Sequence, residues 1–173
     1  MKNLFIFFCI VPNFTFSQNG NFQLDSADVK SIDGIIAALY DVISGEAGKK
    51  RNWERFKILF KPEAKLCATG KDAQNNVRFL AMSVEQYIER SGAQLEKNGF
   101  FETEIGRKTD TFGLVTQVFS TYQSKMKIDG EVFMRGINSI QLVYDDKRYW
   151  IVNILWNNET PKNPIPPKYL IKD

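Results

Sequence analysis

The longest run of strand-forming residues in the chain extends from Arg135 to Trp156, RGINSIQLVYDDKRYWIVNILW. Two segments rich in Ile, Val, Leu, Tyr and Trp flank Asp145-Asp146-Lys147, whose short polar side chains suit a turn, and together they predict a β-hairpin. With a three-residue turn, Leu142 lies opposite Trp150, Ile140 opposite Val152 and Asn138 opposite Ile154, giving one nearly all-apolar face that also carries Trp156. Ser139, Gln141, Tyr149, Ile151, Asn153 and Leu155 form the other, mixed face. A two- or four-residue loop instead shifts the register and puts Asn138 and Asn153 together. In either register neither face reads as solvated, so the sheet is expected to be covered by helices on one side and by a partner subunit on the other.

Upstream, apolar residues at helical spacing (Val29, Ile32, Ile36, Leu39, Ile43) predict a helix capped by Ser26 or Asp28. Asn52 is a suitable N-cap for a second helix, WERFKILF, with Trp53, Phe56, Leu59 and Phe60 as its buried stripe and Pro62 as its stop. Short strands are expected over 64–69 and 76–81. Ser83 with Gln86 forms a capping box for a third helix, which Gly92 is expected to interrupt. From Phe100 the chain reads as strand: 100–110, 114–126, then the hairpin.

The first residues stand apart. Met1-Lys2-Asn3 precedes LFIFFCIV, an apolar run too short to span a bilayer, and polar residues follow, so residues 1–18 read as a signal for export to the periplasm or exterior. Once it is removed Cys67 is the sole cysteine, which excludes an intrachain disulfide and a thiolate metal site. The 173 residues contain no histidine, so the commonest general base and transition-metal ligand is missing; no metal site and no cofactor are predicted. With 23 basic and 20 acidic residues, the chain shows no basic stripe for nucleic acid, and after signal removal nothing in it predicts a membrane partner. Lys49-Lys50-Arg51 reads as a solvated loop. Gly45 to Lys50 is too short for a phosphate loop.

The order helix, helix, short hairpin, helix and four long strands describes an α+β domain in which a curled antiparallel sheet wraps N-terminal helices into a cone. Residues Ser26 to Glu159 resemble the nuclear transport factor 2-like, SnoaL-like or cystatin-like superfamily, which includes ketosteroid isomerase, scytalone dehydratase and polyketide cyclases. LVTQVFSTYQSK, MRGINSIQLVYDDKRYWIVNILWNNETP and NPIPPKYL are similar to an uncharacterised bacterial branch of it. The resemblance implies a pocket for a small apolar or amphipathic molecule and a homodimer formed through the sheet; it implies no reaction. The domain is taken as residues 26–160, and 161–173 as a proline-rich tail packed back on it, with Ile165 and Tyr169 against the helices or one end of the cone.

Tyr122, Arg135, Asn138, Gln141, Asn153 and Trp156 are the candidate pocket residues. A binding module is the first reading, with no catalytic residue assigned. The alternative is an isomerase, cyclase or dehydratase-like enzyme without histidine, using a carboxylate base from Glu102, Glu104 or Asp110 and Tyr122 as donor. Two carboxylates on one strand face more often meet water, which ranks that alternative second. On the export reading, N-terminal sequencing of the mature protein should find its start near Gln18 or Asn19; an intact Met1 on cytoplasmic protein refutes it.

Overall fold

The computed structural model describes residues 27–171, so the export signal read from residues 1–18 lies outside the described residues. Among the described residues, four α-helices lie on one face of a six-stranded sheet. In chain order the elements are α1 (Ala27–Lys30), α2 (Ile32–Ile43), α3 (Trp53–Lys57), β1 (Phe60–Lys71), β2 (Val77–Met82), α4 (Val84–Asn98), β3 (Phe101–Phe112), β4 (Val115–Lys125), β5 (Val132–Tyr144) and β6 (Tyr149–Asn158). The sheet order is β2-β1-β6-β5-β4-β3. All neighbours are antiparallel except β1 and β6, which run parallel, so the expected all-antiparallel sheet is mixed.

The predicted first helix is two. Ser31 takes an extended conformation and its side chain accepts a hydrogen bond from the Gly34 N–H, starting α2 afresh. α2 is buried nearly all round: Ile35, Ile36, Leu39, Tyr40 and Ile43 meet Val118, Ile140 and Ile154 of the sheet in one core. WERFKILF divides as well, since only Trp53 to Lys57 is helical and Phe60 already opens β1. Pro62 lies where the β1–β6 register shifts, between Phe60 and Lys65, a place that asks for no ladder N–H. The capping box at Ser83 and Gln86 is formed. Gly92 does not interrupt α4; it lets the helix pass close over Trp53, whose ring would lie 3.1 Å from an added Cβ. Arg51 departs from the solvated-loop reading. Its buried guanidinium donates to the carbonyls of Ile43 (3.0 Å), Gly45 (2.6 Å) and Leu95 (3.1 Å), closing the C-terminal end of α2.

The hairpin sets its register with two one-residue shifts that add. The loop has four residues, so Tyr144 pairs with Tyr149 and Leu142 with Ile151; a bulge at Val152 then shifts the pairing by one more, so that Ile140 meets Ile154 and Asn138 meets Trp156, each two residues beyond the partner a three-residue turn would give but on the expected face. Asn138, Ile140, Leu142 and Trp156 therefore share the helix-covered face. Trp150 does not, and sits instead between the Arg148 guanidinium, 3.6 Å from its ring centroid, and Lys61 at 4.3 Å.

The tail crosses the other face, not the helices. Tyr169 packs on Phe119 with ring centroids 5.5 Å apart, its carbonyl accepts from the Thr121 hydroxyl (2.6 Å), and the Ile171 carbonyl accepts from the Arg107 N–H (3.1 Å). Gly106 permits this approach, because a Cβ there would collide with the Tyr169 carbonyl. Gly106→Ala should therefore lift the tail and cost about 1–2 kcal/mol, the value of one such docked side chain. Denaturant unfolding checks it: in the Gly106→Ala background, deleting residues 162–173 should cost nothing further.

Candidate functional site

A cavity of about 210 Å³ lies between the helices and the sheet. α2 contributes Leu39, Tyr40 and Ile43, α4 contributes Tyr87, Ser91 and Leu95, and the sheet contributes Glu102, Tyr122, Asn138, Ile154 and Trp156. One wall is a train of aromatic rings. Phe56 packs edge-on to Trp53 and stacks on Tyr87 (5.4 Å between centroids), which in turn meets Trp156 edge-on at 6.4 Å.

The opposite wall is polar, and a bulge builds it. Glu104 pairs with Tyr122 but Gly106 pairs with Thr121, so Ile105 is an extra residue in β3. Glu104 and Arg107, three apart, would otherwise point to opposite faces; the extra residue brings both inward. The Arg107 guanidinium then forms a fork on Glu104 (2.8 and 2.7 Å) and reaches Asp33 of α2 (2.5 Å). Burial works against the charge of Arg107, but Glu104 and Asp33 outweigh it and leave the guanidinium held above its ordinary range.

The Ser120 hydroxyl donates to Glu104 (2.6 Å). A serine has one proton to give, so in the 2.7 Å contact between Tyr40 and Ser120 the tyrosine donates. The Tyr40 oxygen is then met by the Asn138 Nδ2–H group at 3.1 Å. This one-way chain, Asn138 to Tyr40 to Ser120 to Glu104, orients the Asn138 amide with its N–H groups toward Tyr40. Tyr122 is likewise committed, donating to the Asn158 Oδ1 at 2.6 Å.

Glu102 has no such counter-charge. No lysine or arginine lines the cavity; the carboxyl accepts from Ser124 (2.8 Å) and is stabilised by the Asn138 amide. Removal from water dominates over these hydrogen bonds and pushes it up to about 7. Tyr40, Tyr87 and Tyr122 are all raised by burial, with the Glu102 charge adding to it, and stay protonated.

Of the six residues chosen from sequence, Tyr122, Asn138 and Trp156 line this cavity. Gln141 and Asn153 pair with each other on the opposite face, in the same unbroken register as Asn138 and Trp156. Arg135 lies at the open end of β5, 3.4 Å from Glu159, in a shallow surface depression. Among the three candidate carboxylates, Glu102 enters the cavity, Glu104 is bound by Arg107 and Asp110 is exposed beside Gln117. The face shared by Glu102 and Glu104 is thus the helix-covered one and not a wet one. Tyr87 and Ser91 were not legible as site residues, because helical spacing marks Tyr87 only as buried. Among the described residues no cluster of three or more His, Cys, Asp or Glu could hold a metal ion, and no helix is long and apolar enough to cross a membrane.

The fold is that of the cystatin-like, nuclear transport factor 2-like proteins. A cystatin-like protein of unknown function from Nostoc punctiforme matches over 75% of this chain and 90% of its own, with a TM-score of 0.57 at 9% identity. A Mycobacterium tuberculosis protein of unknown function matches with a TM-score of 0.58 at 14% identity, over 79% of this chain and 75% of its own. A candidate ketosteroid isomerase from Parabacteroides distasonis matches over 79% and 98%, with a TM-score of 0.51 at 11% identity. No family model and no curated protein matches the chain.

The raised Glu102 carboxyl makes stability depend on pH. Because the folded chain favours its neutral form, the contribution is complete below the ordinary value of 4.5 and is lost as pH rises through about 7. The shift corresponds to at most about 3 kcal/mol, less after solvent screening of a half-buried group. Glu102→Gln should abolish this loss, and the variant should overtake the wild type in denaturant midpoint above pH 7. Parallel curves for the two proteins from pH 5 to 8 would contradict it.

Proposed function

We propose that the protein is a binding domain whose cavity takes one small, largely apolar molecule, with the polar end of that molecule meeting Glu102. The observation that carries this is a half-open, mostly apolar space beside a carboxyl group with no charged partner among the described residues. A space of about 210 Å³ falls below the roughly 300–1,000 Å³ of pockets for drug-sized ligands, so it suits a single ring or short chain of about ten heavy atoms and not a steroid. With residues 1–18 read as an export signal, the binding takes place outside the cytoplasm.

One observation favours a second reading, acid–base catalysis. A carboxyl held near 7 is tuned for proton transfer at neutral pH, and the Tyr87 hydroxyl, which makes no hydrogen bond among the described residues, is the available neutral donor. Tyr122 cannot serve in the arrangement seen, since its proton goes to Asn158. Two of the structural matches, from Shewanella frigidimarina and Parabacteroides distasonis, are described as candidate ketosteroid isomerases. That likeness concerns the fold, so binding stands first.

Native mass spectrometry of protein isolated from its own cells tests the proposal. A retained molecule of about ten heavy atoms is expected, displaced in Ser91→Phe, which fills the cavity, while the thermal midpoint of that variant stays within a few degrees. An empty wild type, with no small apolar compound raising its midpoint, rules out the binding reading. A retained molecule that is chemically altered on incubation, and unaltered with Glu102→Gln, decides for catalysis.

A further inference from the structure

We propose that the occupant of the cavity is a small apolar amine, held as its ammonium ion by Glu102. This rests on the reading of the cavity as a ligand site and adds the charge of the ligand. The argument is a count of protons. Around the cavity the polar side chains direct their fixed N–H and O–H groups at one another: Tyr40 donates to Ser120, Ser120 to Glu104, Tyr122 to Asn158 and Ser124 to Glu102. The Asn138 amide nitrogen serves Tyr40 and Glu102. What remains toward the space is acceptor capacity on Glu102 and on the Asn138 carbonyl, together with the hydroxyls of Tyr87 and Ser91, which can accept as well as donate. A carbonyl or carboxylate ligand would find only the rotating hydroxyls of Tyr87 and Ser91 as donors, whereas an ammonium group brings three of its own to this set of acceptors.

Charge points the same way. The groups that face Glu102 are Tyr40 and Ser44 from α2, Tyr87 and Ser91 from α4, Tyr122 and Ser124 from β4 and Asn138 from β5, and none is cationic. Glu104 and Arg107, which line the neighbouring depression together with Glu102, are bound to each other, and Arg107 also holds Asp33. Asp41, on the outer side of α2, is engaged by Arg55. A carboxylate so placed gains most from a cation delivered by the ligand. The aromatic rings of Phe56, Tyr87 and Trp156 add an apolar wall that suits the body of an amine.

The test compares three probes of one size, benzylamine, benzyl alcohol and toluene, by chemical-shift titration at pH 8. Benzylamine should bind at least about tenfold more tightly than benzyl alcohol. Its affinity should fall about tenfold from pH 8 to pH 6 as Glu102, titrating near 7, takes up a proton. In Glu102→Gln both the preference and the pH dependence should vanish while benzyl alcohol and toluene still bind. Equal or tighter binding of benzyl alcohol, or a benzylamine affinity that ignores pH, overturns the amine and leaves the pocket standing. If none of the three shifts cavity resonances, the pocket reading fails and takes the amine with it.

Discussion

The ion pair between Arg107 and Glu104 holds the polar side of this molecule in order. Without the extra residue at Ile105 the two side chains would leave the sheet on opposite faces, and the Glu104 carboxylate would lose its guanidinium partner. With it, Arg107 closes on Glu104 and on Asp33, so that β3 and α2 are joined by a buried guanidinium that is only 5% exposed. The fixed carboxylate then sets the direction of every hydrogen bond that follows, through Ser120 and Tyr40 to Asn138. Truncating Arg107 would take the guanidinium away from a buried carboxylate, a change that commonly costs about 3–5 kcal/mol.

Elements were legible in the sequence where one physical signal decided them. The helix at Ser83 has a capping box, and both halves of the hairpin alternate around a turn of short polar residues. Faces were less legible, because they depend on single extra residues. Val152 and Ile105 look like any other apolar strand residue, yet each flips everything beyond it to the other face of the sheet. That is why Asn138 and Trp156 were placed together correctly while Trp150 was not, and why Glu102 and Glu104 read as wet. Glycines misled for a related reason: Gly92 suggests a helix break by composition, but its role is the close passage of Trp53, a contact between segments 39 residues apart in sequence (92 minus 53).

The parallel pairing of β1 with β6 illustrates a different limit. Nothing local in PEAKLCAT distinguishes a strand that pairs only with the next one from a strand that also joins the last. The choice is made by α3, which delivers Leu59 and Phe60 to the edge of β6, where the Leu59 carbonyl accepts from the Ile151 N–H at 2.9 Å and the Ile58 carbonyl from Arg148 at 2.6 Å. Such a connection is tertiary, and it determines that the helices lie over the same strands that carry Asn138 and Trp156.

Fold and chemistry separate cleanly in this molecule. Proteins sharing 9–14% of its residues share the arrangement of sheet and helices, so that arrangement cannot specify what the cavity receives. The lining does, and the lining is rigid on both sides. Trp53, pinned to Glu96 by its indole N–H at 2.9 Å and roofed by Gly92, fixes Phe56, which stacks on Tyr87, which sets Trp156; the width of the cavity follows from that order. Across from it, Glu102 receives hydrogen bonds but no counter-charge. Replacing Glu102 by an apolar side chain would remove a desolvation penalty and add packing, so stability alone gives no reason for a carboxyl here. On the binding function proposed above, the counter-charge that this carboxyl lacks among the described residues would come from the molecule that enters the cavity.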